Sequence, residues 1–416
     1  MAKRQPAERR ISIGGAANEY AEQEALRGAA SQLSGRVFAL GVTFVLLVLL
    51  AMILPLYMYN HAMMEFTPAV ILDVIAYNVN GLFGVITGNG GVFEQRFMGV
   101  VVCAVSGAAL GMCGSAYQGA FNNPLAAPKT LGVMAGGALG ALVYVLFLQD
   151  LGPQDPRAMR DTGITIGQLY LWQQSLTPLE WLWVTYGKCL CSIVGCFIVV
   201  AIVMAITTIL GKGKLSNIIV IIFGQVFAAT VTAIISFCRY VFTQEGGIDM
   251  VDELRAIENY TMIYNYTYID LLVVVLPIVI CMVVVIVMGR RLTLLSFGDD
   301  EAATMGINVK RTRYAMIAVC TLMTAWAISF CGHVAFLGFI SAHIARRIVG
   351  PDFKYLLPAS LFVGGGFLTV IQYICQSGLP FTSPYAGGVV CSIIGALVFM
   401  GIVFAQRGRG GSGDWR

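Results

Sequence analysis

The sequence predicts an all-α polytopic membrane protein, and three observations predict it. Of 416 residues, 58% are hydrophobic and 12% are charged, and the mean hydropathy is +0.79. A water-soluble domain carries about twice that share of charge to cover its surface. Apolar runs then recur along the chain, at roughly 37–58, 97–117, 131–148, 181–210, 215–242, 268–288, 314–330, 334–349, 356–378 and 386–405. Most reach the ~20 residues that carry a helix across a bilayer. Finally, the basic residues alternate between connections. Lys3, Arg4, Arg9, Arg10, Arg27 and Arg36 precede the first run. Lys129; Lys212 and Lys214; Arg290, Arg291, Lys310, Arg311 and Arg313; Arg346, Arg347 and Lys354; and Arg407 and Arg409 follow every second run after it. The positive-inside rule assigns these stretches to the cytoplasm. About ten transmembrane helices with both termini inside satisfy the pattern.

The chain therefore divides into a polar tail over 1–36, a transmembrane domain over 37–405 and a polar tail over 406–416. The lead-in is too long and too polar for a cleavable signal peptide. A net charge of +4 calls for no nucleic-acid partner. The 11 cysteines fall almost entirely inside apolar runs, where a thiol behaves as a small apolar side chain. Cys189, Cys191 and Cys196 approach metal-ligand spacing, but no His or carboxylate joins them, so packing is the expectation and no metal is assigned. Gly107 and Gly111, and Gly132, Gly136 and Gly140, stand four apart and mark close helix–helix contacts. Three outside segments are long: 59–96 with an apolar stretch from Ala69 to Ala76, 149–180, and the acidic then aromatic 243–267. Each is a solvated loop or a docking surface for a delivery protein.

Three blocks carry more specific information. The first runs from Gly114 through Gln118, Gly119, Asn123, Pro124, Leu125, Ala126 and Pro128 to Leu131 and Gly132. Two prolines stop one helix, and Asn serves the freed backbone groups before the next begins. The second, Leu292 to Val309, places a short polar helix between Gly298 and Gly306, acidic at its start and followed by Lys310, Arg311 and Arg313. That polarity suits a helix dipole. The third runs from Gly332 through Gly338, His343 and Arg346 to Gly350, Pro351 and Asp352, and on to Leu357-Pro-Ala-Ser360.

Together these blocks resemble the permeases of the iron-chelate and cobalamin family (FecCD-type, type II ABC importers). The corresponding family patterns are G-x-x-x-Q-G-x-x-x-N-P-L-A-x-P-x-x-L-G-V, L-x-x-L-x-L-G-x-x-x-A-x-x-L-G-V-N and G-P-I-G-F-V-G-L-V-V-P-H-I-A-R-L-L-V-G-P-D. The resemblance covers about residues 96–400. It implies a type II importer permease fold in the bacterial cytoplasmic membrane, with Gln118, Gly119, Asn123, Pro124, Leu125, Pro128, Gly338, His343 and Arg346 in structural motifs. It implies that the loop around 292–313, with Leu295, Gly298, Ala302, Gly306 and Asn308, seats on an ATPase. The fifth span would line the pathway through Gln225, Thr230, Thr232 and Ser236. Gln225 and Thr232 lie seven apart and Ser236 four further on, so these three share a helix face. Leu215, Ser216 and Asn217 match the cytoplasmic gate position.

The sequence also departs from the family. The second Arg of R-L-P-R is Gly99; Pro becomes His333 in the third block and Ala342 before its His. An Asp and an Arg of the ninth span become Gln372 and Gln376, and the last span lacks its late Pro at Leu397. Of the three histidines, His61, His333 and His343, a helix-end residue such as His343 is expected to make structural hydrogen bonds.

No phosphate-binding G-x-x-x-x-G-K-[ST] loop is present, and Gly211-Lys-Gly-Lys214 lacks its spacing. No catalytic residue is assigned and no cofactor is expected on this chain; ATP and Mg belong to a partner. The resemblance implies a second permease chain, identical or related, two ATPase subunits and an extracellular or periplasmic binding protein. The expected function is translocation of an iron(III)–siderophore or related chelate by alternating access, with haem or cobalamin as alternative cargo. An ion-coupled carrier is the alternative of another class, but such carriers keep ionisable groups at mid-membrane, and these spans hold almost none.

Overall fold

A computed structural model describes residues 28, 30–48, 91–149, 175–211, 217–244, 251, 254, 257, 268–376 and 387–407. Leu215 and Ser216, both tails beyond these limits, and most of the three outside segments lie outside the described residues. All the regular structure described is helical. In chain order the helices are α1 (Ala30–Val48), α2 (Gly91–Phe121), α3 (Val133–Val143, continued by a π turn at Tyr144–Leu148), α4 (Pro178–Leu210), α5 (Asn217–Gln244), α6 (Tyr268–Val287), α7 (Gly289–Leu295), α8 (Asp299–Thr304), α9 (Val309–Cys331), α10 (Leu337–Val349), α11 (Phe353–Gln376) and α12 (Gly387–Arg407).

A helix stands at each of the ten apolar runs. Among the described residues, six helices are long and apolar enough to cross a membrane, and α6 with α7, bent by 50° at residue 288, makes a seventh. The last run holds the shorter apolar stretch Gly388–Val398 within α12, and two runs hold short helices, α3 and α10. At ~1.5 Å rise per residue, α10 spans about 20 Å, short of the ~30 Å hydrocarbon core. Irregular chain completes these runs: Asn122–Gly132 before α3 and Gly332–Phe336 before α10. Such backbone is tolerated at depth only where protein surrounds it, and Ala126, Leu131 and Val334 are indeed buried.

Helix ends follow local rules. Thr177 caps α4: the Glu180 amide donates to Thr177 Oγ1 at 3.4 Å, and the Thr177 amide donates to the Glu180 carboxylate at 2.9 Å, with Pro178 at the first helical position.

α2 is the central post, packed against α9, α10 and α11. Small residues set its distance. A Cβ on Gly107 would lie 2.7 Å from the Gly364 carbonyl oxygen, and one on Gly111 would lie 2.5 Å from that of Ser360. One on Gly114 would overlap the Gly338 backbone. A second pair, α3 and α4, meets the same way, with Gly136 against Gly195 and Gly140 against Cys191. The glycine spacings read from the sequence therefore mark two packed seams, where close backbone approach supplies the dispersion contacts that hold helices together in lipid. Cys189 and Cys196 are buried free thiols, and Cys196 lies in the second seam against Gly137.

Candidate functional site

One end of the bundle gathers the basic residues. Arg313, at the start of α9, donates from Nε to the Ala120 carbonyl at 2.7 Å, at the last turn of α2. Arg346, in the last turn of α10, donates to Gln118 Oε1 at 3.0 Å. Arg36 of α1 donates to the Ile348 carbonyl at 2.8 Å. The 36, 118–120, 313 and 346–348 segments thus share one end, as the charge alternation predicts.

The 292–313 loop is built at this end from two short helices. α7 is fixed by its buried Leu292 and Leu295 and by Thr293, whose hydroxyl donates to Asp352 at 3.0 Å and accepts from the Phe353 amide at 3.1 Å. Gly119 leaves room beneath it: a Cβ there would lie 2.6 Å from the Phe353 ring and 3.2 Å from Leu292. α8 begins at Gly298 (φ 124°) and ends before Gly306 (φ 83°), backbone angles that exclude most side chains. Its first turn is Asp299, Asp300 and Glu301, while Ala302 is fully buried. Asn308 caps α9, accepting from the Arg311 amide at 3.0 Å. Asp299 then pairs with Arg313, Oδ2 at 3.1 Å from Nη1 and Oδ1 at 2.5 Å from Nη2. One guanidinium therefore ties α8, α9 and the end of α2 together. In the sequence Arg313 is one of several basic residues of the loop; its link to Ala120 spans 193 positions and carries no local signal.

The first block forms a turn. Asn123 Oδ1 accepts from the Leu125 amide at 2.9 Å, and Thr130 Oγ1 accepts from the Ala127 amide at 2.8 Å while donating to the Ala127 carbonyl at 2.9 Å. Asn122 takes φ 45° and Gly132 φ 78°. Pro128 is buried, whereas Leu125 is exposed. Gly338 abuts Gly114. His343 is buried, with Nδ1 2.9 Å from its own helix's Phe339 carbonyl, the structural bonding expected of it.

The second feature is a cavity of about 450 Å³ between α3, α5, the Gly332–Phe336 segment and the start of α12. Of the four pathway candidates, Thr232 lines it. Ser236 is half-buried; Gln225 and Thr230 are exposed, and Thr230 points about 140° away from Gln225 around the helix. The side chain of Asn217 lies outside the described residues. The cavity also holds Lys129, His333 and Ser392, none of them a pathway candidate in the sequence. Lys129 does not join the basic end with the other cations. Its ammonium sits 5.3 Å from the centre of the Phe336 ring, because Asn122–Gly132 folds back between the helices.

Gln372 is buried. Among the described residues, no group of three His, Cys, Asp or Glu side chains forms a metal cluster.

The FecCD transport family model matches residues 46–405. Among similar proteins, the uncharacterized ABC transporter permease protein YvrB of Bacillus subtilis is 27% identical over 76% of this chain and 79% of its own. The cobalamin import system permease protein BtuC of Halobacterium salinarum is 27% identical over 73% of this chain and 71% of its own. The ferric enterobactin transport system permease protein FepD of Escherichia coli is 25% identical over 77% and 84%. A solved chain described as an inward-facing metal-chelate type ABC transporter superposes with a TM-score of 0.63 at 20% identity, covering 89% of this chain and 99% of that one; it speaks for the fold. With the family model matching most of its length, the chain belongs to the FecCD transport family.

Proposed function

We propose that this chain is the membrane-spanning half of an importer for a metal chelate of the siderophore, haem or corrinoid class, driven by ATP hydrolysis on separate subunits. The observation that carries this is the 292–313 loop: two short helices, the second bracketed by positive-φ glycines, bolted to the end of α2 through Arg313. A rigid helix on the surface passes a push to the helices beneath it, whereas a mobile loop would absorb it. Leu295, Gly298, Ala302, Gly306 and Asn308 give this loop its shape, and its basic end faces the cytoplasm by the charge rule. A second copy or a related chain covers the exposed α5 face, where Ile222, Val226, Ile234, Phe237 and Tyr240 stand outside the core. Thr230 stands on that face, with Gln225, Thr232 and Ser236 on its flank, and Leu215, Ser216 and Asn217 close the cytoplasmic end of the junction. Cargo arrives from a binding protein on the opposite side. The populations of inward- and outward-open states shift with the nucleotide state of the ATPase.

The test is ATPase activity of this chain co-purified in lipid nanodiscs with a candidate ATP-binding-cassette ATPase from the same organism. The expected result is activity stimulated by a cargo-loaded binding protein and lost when Gly306 is replaced by Val. Failure of any ATPase to co-purify would reject the importer and return the ion-coupled carrier.

A further inference from the structure

A basic pair stands at the junction of α1 and α10, apart from both the 292–313 loop and the cavity. Arg36 is exposed, and its Nη1 donates to the Ile348 carbonyl, 312 positions away, at 2.8 Å. That carbonyl belongs to the last turn of α10, where carbonyls find no partner within the helix. Arg347, the residue before it, is also exposed. Two guanidiniums from different helices therefore gather at one helix end.

Nothing described neutralises them. Among the described residues neither arginine has an ion-pair partner. The nearest acid along the chain, Asp352, accepts through Oδ1 from the Thr293 hydroxyl and the Lys354 amide, both at 3.0 Å. Arg346 is committed inward to Gln118. Most N–H donors of the Arg36 guanidinium are left open, as are those of Arg347.

The pair sits at the headgroup level of the bilayer. α1 runs parallel to α11: a Cβ on Gly41 would lie 3.2 Å from the Phe362 ring, and one on Gly366 would lie 3.3 Å from Leu47. Arg36 stands five residues before Gly41, about 8 Å of rise. It is therefore level with the opening turns of α11, where the apolar runs of both helices begin. Leu33, Val37 and Leu40 turn to the core. Arg36, Ala39, Thr43 and Leu46, three or four apart, follow one flank of α1, and all four are exposed. That flank starts with a cation at the interface and continues into the hydrocarbon with small and apolar side chains.

We propose that Arg36 and Arg347 hold the phosphate of an anionic phospholipid, whose acyl chain lies along the Ala39–Thr43–Leu46 flank of α1. Basic pockets between transmembrane helices on the cytoplasmic side take such headgroups. A planar guanidinium matches a phosphate with paired N–H donors, and two uncompensated cations favour a headgroup of net negative charge over a zwitterionic one. The exposed flank selects a lipid over a free phosphate ester, since only the lipid has chains to lay on it. The headgroup fastens α1, whose apolar window is 0% buried, to the end of α10. The proposal goes beyond the importer assignment and does not rest on it.

The test is native mass spectrometry of the full chain in detergent, titrated with phosphatidylglycerol and phosphatidylcholine of identical chains. Phosphatidylglycerol should bind more tightly by about tenfold or more, at roughly fivefold per cation. Arg347→Gln, which leaves the Ile348 bond untouched, should lose about fivefold, and Arg36→Gln with Arg347→Gln should remove the preference. Arg36→Lys with Arg347→Lys should keep most of it. Lys310→Gln with Arg311→Gln removes the same charge from the same end on another helix and should change nothing. Excess glycerol 1-phosphate should not displace the lipid. Thermal melts confirm that each variant is folded, and an unfolded Arg36 variant leaves Arg347→Gln to decide. The proposal is overturned if both lipids bind equally, if Arg347→Gln binds like the parent chain, if the Lys310 and Arg311 control loses as much, or if glycerol 1-phosphate displaces the lipid.

Discussion

α2 and α5 are both long apolar helices, yet the apolar window of α2 is 83% buried and that of α5 only 22%. The difference is in the side chains at the contact faces. α2 turns Gly107, Gly111 and Gly114 to its neighbours and meets them backbone to backbone. α5 buries Val220, Gly224, Val231 and Ile235 on one face and leaves Val226, Phe237 and Tyr240 on the other. A helix in the middle of the bundle needs the first kind of surface; the proposed contact of α5 with a second chain would use the second. The small residues build the rigid frame, and the large ones stay outside it.

The most damaging change should come at the α2 seam. Gly114→Leu drives side-chain atoms into the Gly338 backbone, and a cost above about 3 kcal/mol is expected. Loss of the monodisperse peak in size-exclusion chromatography of the detergent-solubilised protein is the readout, and a folded Gly114→Leu protein would break the contrast between the helices. Next comes Arg313→Ala, which strands the Ala120 carbonyl and unties α8. A stability loss of about 1–2 kcal/mol is expected, read as a lower unfolding midpoint, together with a fall in cargo-stimulated ATPase activity of about tenfold; unchanged coupling would show that the loop transmits through other contacts. Asn308→Ala removes one cap from α9 and should cost about 1 kcal/mol, seen in the same melt. The smallest effect on the monomer belongs to α5. Phe237→Ala, two-thirds exposed, should stay within about 0.5 kcal/mol while reducing the dimer fraction in native mass spectrometry. A strongly destabilised monomer would mean that this face already has an intrachain partner.

Much of the frame was legible because its signals are local. Apolar run length, the four-residue spacing of Gly107 and Gly111, and the Gly298–Gly306 bracket are each visible within a few turns of chain. The short helices α3 and α10 were less so: hydropathy registers apolar residues whether or not they are helical, so Asn122–Gly132 and Gly332–Phe336 were read into or beside the adjacent runs. Charge was also ambiguous. Lys129 counted toward the basic connections, since composition cannot distinguish a cation at a bundle end from one carried back inside.

The sequence by itself determined that this chain is a helical membrane protein, which motifs it shares with its family and where its glycine seams lie, because bilayer thickness and helical periodicity act on neighbouring residues. Only the tertiary structure decided that Arg313 joins α8 to the end of α2, that Thr232 rather than Gln225 reaches the cavity, and that Lys129 and His333, 204 positions apart, line one wall. Those outcomes depend on how two irregular segments fold between packed helices, and long-range packing leaves no period in the sequence.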